Sequence, residues 1–235
     1  MAGSGYDEHE YDVIVIGAGG AGLRAAIESA RQGAKTAIIT KSLLGKAHTV
    51  MAEGGCAAAL ANADDRDGWK IHFHDTMKGS KYLADWRMAE LHAKEAPDRV
   101  RELEQWGAVF DRTPTHVINQ RNFGGHTFPR LAHVGDSTGL EIIRTLQERG
   151  IHEGIDMFTE YTVRHLLKEG ERVTGCVAYG RVKGDFKAFS AKSIVLATGG
   201  ITRCWTVCSG SWEYTGDGHA LALWAGAELR DMEFV

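Results

Sequence analysis

Apolar residues come in short bursts between polar and glycine-rich stretches, and the spacing within each burst predicts its element. Residues 11–16 (YDVIVI) are a β-branched run that predicts a buried strand. Gly17-Ala18-Gly19-Gly20-Ala21-Gly22 follows; then Leu23, Ala26, Ile27 and Ala30 recur at helical spacing until Gly33 stops the helix. Residues 35–40 (KTAIIT) predict a second buried strand. Strand, glycine turn, helix and strand in close succession make a βαβ unit.

Further along, helices are expected at 84–95 and 97–106, with Pro97 in the first turn of the second. Another is expected at 137–149, capped by Asp136 or Ser137. From 156 to 197 the pattern turns to strands, at 157–167, 172–181, 185–190 and 193–197. A helix is expected at 215–226. Residues 1–10 read as a flexible tail and 11–235 as one α/β domain, Rossmann-like, with a β-meander inserted before its return strand. The chain stops at Val235 inside an apolar run, which reads as truncation.

Composition narrows the function. The 235 residues are 43% hydrophobic and 25% charged, as in ordinary globular proteins. A net charge of −4, from 31 acids against 27 bases, lacks the basic excess of a nucleic-acid binder. No apolar run approaches the roughly 20 residues of a membrane helix, and the polar N-terminus is unlike a secretory or transit signal. Four irregularly spaced cysteines make no disulfide framework, so a cytosolic setting is expected. His72-Phe73-His74 and Cys204-x-x-x-Cys208 lack the partners of a metal site. The six tryptophans read as packing anchors, and Glu90 and Lys94 as a helical ion pair on a solvated face.

The candidate chemistry begins at Gly17-x-Gly19-x-x-Gly22. Between a strand and a helix, these glycines let a pyrophosphate approach the backbone and sit on the helix N-terminus. The second strand ends in Thr40-Lys41, without the acid that holds a ribose in NAD-binding folds; Lys41 is a weak hint of a 2′-phosphate. Ala197-Thr198-Gly199-Gly200, ending a strand after a meander, points instead to a flavin. Asp217, in Thr215-Gly216-Asp217-Gly218, either caps the following helix or faces the flavin ribityl chain.

Six segments in order, VIGAGGAG (15–22), HTVMAEGG (48–55), DTMKGS (75–80), QRNFGGHTFPRLAHVGDSTG (120–139), VLATGG (195–200) and WEYTGDGHALA (212–222), resemble the flavoprotein subunits of succinate dehydrogenase and fumarate reductase, in an actinobacterial-like form. The resemblance runs from Tyr11 to Val235 and implies FAD. It puts Gly17, Ala18, Gly19, Gly20, Ala21 and Gly22 at the pyrophosphate, and Thr40 to Gly55 around the flavin, among them Lys41, Ser42, Thr49, Glu53, Gly54 and Gly55. It makes His48 the covalent attachment point at the flavin 8α-methyl. It brings Val163 to the adenine, and Ala197, Thr198, Gly199 and Asp217 to the cofactor. Phe123 either lies beside a dicarboxylate substrate or is a core residue. Catalytic residues are expected beyond Val235, in a capping domain.

The resemblance also implies an iron–sulfur partner subunit, membrane-anchor subunits beneath it, and a peripheral place on the cytoplasmic face of the bacterial membrane. Lys46-Ala47 stand where the family has Arg-Ser, and Glu53 leaves the preferred direction of succinate oxidation or fumarate reduction open. Alternatives are a soluble oxidase of the L-aspartate oxidase type and a non-catalytic flavin-binding fragment.

Overall fold

The chain runs through β1 (Asp7–Ile16), α1 (Gly20–Arg31), β2 (Thr36–Thr40), β3 (Cys56–Ala57), α2 (Trp69–Gly79), α3 (Trp86–Gln105), β4 (Gln120–Arg121) and β5 (Leu131–Ala132). It continues through α4 (Thr138–His152), β6 (Asp156–Thr159), β7 (Tyr161–Glu169), β8 (Arg172–Gly180), β9 (Phe186–Leu196) and α5 (Asp217–Ala225). This is a computed structural model in which residues 7–234 are described. Two compact units divide it: Met1–Thr49 with Leu146–Val235, and Val50–Thr145.

In the first unit β1 lies parallel to both β2 and β9, in a six-stranded sheet of order β6-β2-β1-β9-β8-β7. Side chains alternate across a strand. Ile14 and Ile16 therefore join Ala37 and Ile39 on one face, against Val163, Leu166, Cys176 and Phe189 of the meander and Leu221 of α5. Val15 and Ile38 are fully buried as well, and α1 packs on β1 and β2 through Leu23, Ala26 and Ile27. Burial on both faces is why these strands read as continuous apolar runs. Each buried valine, leucine, isoleucine or phenylalanine among them stabilises the fold by about 1.5–3 kcal/mol.

Several boundaries differ from expectation. Residues 7–10, read as tail, extend β1 and pair with Lys187–Ser190 of β9; residues 1–6 lie outside the described residues. The run 157–167 is two strands, broken at Glu160 with φ of 63°. β6 and β7 stand at opposite ends of the strand order yet are joined by Glu160 alone, so the sheet curls back on itself. Residues 185–190 and 193–197 instead form the single strand β9, since no turn residue interrupts them.

In the second unit β3, β5 and β4 form a small antiparallel sheet, and α2 packs on α3. Pro97 does not start a helix; it sits inside α3. The buried stripe Ala89, Ala93, Ala96, Val100 and Leu103 continues through it, and that burial outweighs the missing N–H bond. At the start of α4, the Ser137 carbonyl accepts the Glu141 N–H, while the Asp136 carboxylate pairs with Arg121 at 3.2 Å. The packing-anchor reading of the tryptophans fails for Trp86, Trp205, Trp212 and Trp224, which are exposed. Among the described residues no helix is long and apolar enough to cross a membrane.

Candidate functional site

The first unit holds a cleft of about 250 Å³ at the C-terminal ends of β1, β2 and β9. In an α/β sheet a ligand crevice lies where crossovers leave a strand in opposite directions. β1 is that strand here, with β2 on one side and β9 on the other.

The glycine turn shapes the floor. Gly17 has φ of +113°, and a Cβ there would lie 2.2 Å from the Ala197 carbonyl oxygen. A Cβ on Gly22 would lie 2.0 Å from the Gly17 carbonyl oxygen. These two glycines allow the tight turn and the approach of β9. Gly19 is different, because a Cβ there would meet only Ala47 and Thr49, at ordinary contact distance of 3.5 Å. Its missing side chain keeps the cleft open.

The start of α1 is built for an anion. Its N-cap is Gly19, which has no side chain to cap it, and no acid stands in the first turn. The Thr49 hydroxyl accepts the Gly20 N–H at 3.1 Å and ties this turn to the loop carrying His48.

His48 sits in a short 3-10 turn, His48–Met51, after β2. Its Nδ1 accepts the backbone N–H of Ser211 at 3.2 Å, and its ring lies 4.4 Å from that of Tyr214. A lone pair engaged at Nδ1 puts the proton of the neutral ring on Nε2. The imidazole is thus held in one tautomer at the cleft wall.

At the other end Asp217 opens α5, but the cap position belongs to Gly216, and no side chain caps the helix. The Asp217 carboxylate takes hydrogen bonds from Lys41 Nζ at 2.7 Å and Thr215 Oγ1 at 2.7 Å. Burial works against its charge, yet those two bonds together with the charges of Lys41 and Arg164 outweigh burial and hold its pKa below the usual carboxylate value. Lys41 is thereby engaged, with Glu213 also 4.0 Å away, rather than presented for a 2′-phosphate.

Of the residues singled out from the sequence, Gly17 to Ala21, Thr40 to Ser42, His48, Thr49, Val163, Ala197 to Gly199 and Asp217 all line this cleft. Gly22 lies behind it, in the turn. Glu53, Gly54, Gly55 and Phe123 belong to the second unit. There Arg121 donates to the carbonyls of Glu53 and Gly54, and Phe123 packs against Gly54. Phe123 is 56% exposed, so it is not a core phenylalanine. The cleft also takes in Tyr161 and Thr162, which no local pattern marks, and Glu213, Tyr214 and Leu221, which lie in the WEYTGDGHALA segment but were given no role there. The meander and the loop before α5 bring them in from a distance.

Comparison with known proteins agrees with this geometry. The family model described as FAD binding domain matches residues 12–235. The succinate dehydrogenase flavoprotein subunit of Rickettsia conorii is 42% identical over 235 residues, covering 97% of this chain and 39% of that protein. The fumarate reductase flavoprotein subunit of Escherichia coli is 38% identical over 227 residues, covering 95% of this chain and 37% of that protein. Among solved structures, the Mycobacterium smegmatis Sdh1 complex in the apo form superposes with a TM-score of 0.92 at 57% identity, over 94% of this chain and 39% of that chain. The chain therefore spans about two fifths of the length of these relatives.

Proposed function

This chain belongs to the FAD binding domain family, and on that premise we propose that it is the flavin-holding part of a succinate dehydrogenase or fumarate reductase flavoprotein subunit. The observation that carries the reading is the acid-free start of α1, whose N-cap is a glycine, lining a cleft that also holds His48 and Asp217. The residues present fit FAD. Its pyrophosphate needs backbone N–H groups without a competing carboxylate, and the turn from Gly17 to Gly22 supplies them. Its adenosine ribose needs an acceptor at the end of β2, and Asp217 brings from α5 the acid that Thr40-Lys41 lacks. Val163 gives the adenine an apolar neighbour, and the Ala197–Gly199 backbone closes the floor.

When bound, FAD supplies hydride acceptance and release. The chain's own residues bind and orient it. Lys41 and Thr215 keep Asp217 ionised as an acceptor, while Ser211 and Tyr214 fix the His48 ring with Nε2 as the atom for covalent attachment. Residues 11–235 are in this reading one incomplete FAD-binding domain. Glu53, Gly54 and Gly55 contribute to the flavin surroundings and Phe123 to the dicarboxylate side. The groups that bind both carboxylates and move the proton belong to the larger part of the whole flavoprotein. The substrate pair is succinate and fumarate. Electrons pass on to an iron–sulfur partner, which membrane-anchor subunits hold at the cytoplasmic face of the membrane.

The test is a visible spectrum of the protein loaded with FAD, before and after acid precipitation. Yellow colour retained in the pellet, and released by His48→Ala, supports the covalent site. Colour lost to the supernatant from the unaltered chain overturns the covalent link while keeping FAD binding. A colourless protein after FAD is supplied overturns the reading.

A further inference from the structure

The loop between β9 and α5 is organised around Arg203, and its two cysteines serve no role in the flavin reading. The Arg203 backbone N–H donates to the Tyr214 carbonyl at 2.9 Å. Its guanidinium lies 3.6 Å from the centre of the Trp212 ring, which pins it in place. The same guanidinium donates through Nη1 to Cys208 Sγ at 3.6 Å. Cys208 Sγ also lies 3.9 Å from the Gly210 carbonyl oxygen. The first contact favours a thiolate and the second a thiol; the charge-assisted one is the stronger.

We propose that Cys208 is a modification site: a reactive thiol, held against a fixed guanidinium, that exchanges with low-molecular-weight disulfides and thereby acts on the His48 wall of the cleft. In the exchange the Cys208 thiolate attacks one sulfur of RS–SR. A Cys208–S–SR bond forms, the RS–SR bond breaks, and RS⁻ leaves and takes up a proton, so no further oxidant is needed. Burial alone would raise the Cys208 pKa. Polar contacts led by the Arg203 guanidinium more than offset it and bring the thiol below its ordinary value. The four cysteines are all free, and they separate cleanly. Cys56 and Cys176 are pushed up by burial, Cys176 to about 12. Cys204 is exposed, its Sγ 4.0 Å from the Thr215 carbonyl oxygen, with no cation at its sulfur among the contacts described.

The link to the cleft is short. Ser211, whose N–H holds His48 Nδ1, follows Cys208 by three positions, and the Arg203 that grips the sulfur also holds Tyr214. An adduct on Sγ takes the place of the Arg203 contact and adds bulk where a Gly210 Cβ would already lie 2.1 Å from Thr202 Oγ1.

The test treats the chain with hydroxyethyl disulfide across a pH series and follows each cysteine by peptide mass. Cys208 is expected to react first, ahead of Cys204 in the same molecules, with a midpoint below that of an ordinary thiol. Arg203→Gln is expected to move that midpoint up and slow labelling at neutral pH by about threefold, the gain in thiolate being partly offset by its lower nucleophilicity. Arg203→Lys is expected to retain most of the effect. Labelling should also speed hydrogen exchange at the Ser211 amide. Equal or slower reaction of Cys208 relative to Cys204 overturns the site. Labelling that leaves Ser211 exchange unchanged overturns the coupling to His48. Both readouts are taken without added FAD, so they stand apart from the outcome of the flavin test.

Discussion

Lys41 Nζ and Asp217 Oδ2 lie 2.7 Å apart although 176 residues separate them in sequence. The end of β2 thus acquires a carboxylate that its own residues do not provide. This predicts that Asp217→Asn, which keeps the shape and removes the charge, weakens FAD binding by about tenfold, the scale of one lost charge-assisted hydrogen bond. Titration of FAD fluorescence measures it. Lys41→Met serves as the partner experiment, since it frees the carboxylate without removing it. An unchanged dissociation constant for Asp217→Asn would place the ribose elsewhere.

Two glycines of one turn separate fold from site. A Cβ on Gly22 would strike the Gly17 carbonyl at 2.0 Å, so Gly22→Ala is expected to destabilise the protein by about 3 kcal/mol or more, read from denaturant midpoints. A Cβ on Gly19 meets its neighbours at 3.5 Å, so Gly19→Ala is expected to fold within about 1 kcal/mol of the parent. Gly19→Ala should nevertheless lose FAD affinity by about tenfold or more, because the methyl group enters the space at the helix start. If both variants bind FAD normally, the turn is not the pyrophosphate site.

Burial, not distance, sets the value of an ion pair. Arg130 Nη2 and Asp67 Oδ1 are 2.8 Å apart with both side chains buried; Lys94 Nζ and Glu90 Oε1 are also 2.8 Å apart, on the exposed face of α3. Asp67→Ala leaves the buried guanidinium with Asp75 alone, 3.0 Å from Nη1 but poorly aligned for a hydrogen bond. Its expected cost is about 3–5 kcal/mol. Glu90→Gln is expected to cost about 0.3–0.5 kcal/mol. Urea unfolding of the two variants compares them directly, and similar costs would contradict the buried network.

What the sequence revealed divides along the same physical lines. β1, the glycine turn, α1 and β2 were legible because their signals are local: β-branched runs buried on both faces, and a stripe of Leu23, Ala26 and Ile27. The cleft residues on those elements were legible with them. α2 was missed because what it buries includes two polar residues, His72 and Asp75, and the partners of Asp75 come from the Thr127–Arg130 segment. The two-residue strands β3, β4 and β5 carry too few positions to show a period. The break at Glu160 rests on one residue with positive φ and no glycine to announce it. Tyr214 and Glu213 reach the cleft only because Arg203 and Lys41 hold their loop, a relation between distant segments.

His72 gives the second unit a pH dependence of definite sign. Its ring is buried, with Nδ1 unpartnered, 5.3 Å from the His92 ring and 6.1 Å from that of His126. Burial, then the Arg130 charge and the two neighbouring imidazoles, push its pKa down from 6.5 to about 4, and burial lowers His126 as well. Asp75 alone opposes the shift, and it is already engaged by Thr127. A depressed pKa means that the unfolded chain binds the proton first. Between pH 6.5 and about 4 the unfolded state therefore holds more protons, and stability falls as pH falls through that window. Above pH 6.5 the contribution is fully present. Thermal unfolding across this range should show a declining Tm in the parent chain and a flatter profile in His72→Gln, whose side chain has no proton to gain. A carboxylate held below its ordinary value, as Asp75 is, loses its contribution only from about pH 5 downward, so the fall between pH 6.5 and about 5 belongs to the imidazoles. A parent profile that stays level from about pH 6.5 to about 4.5 would mean that the buried imidazole keeps access to water or to a partner acid.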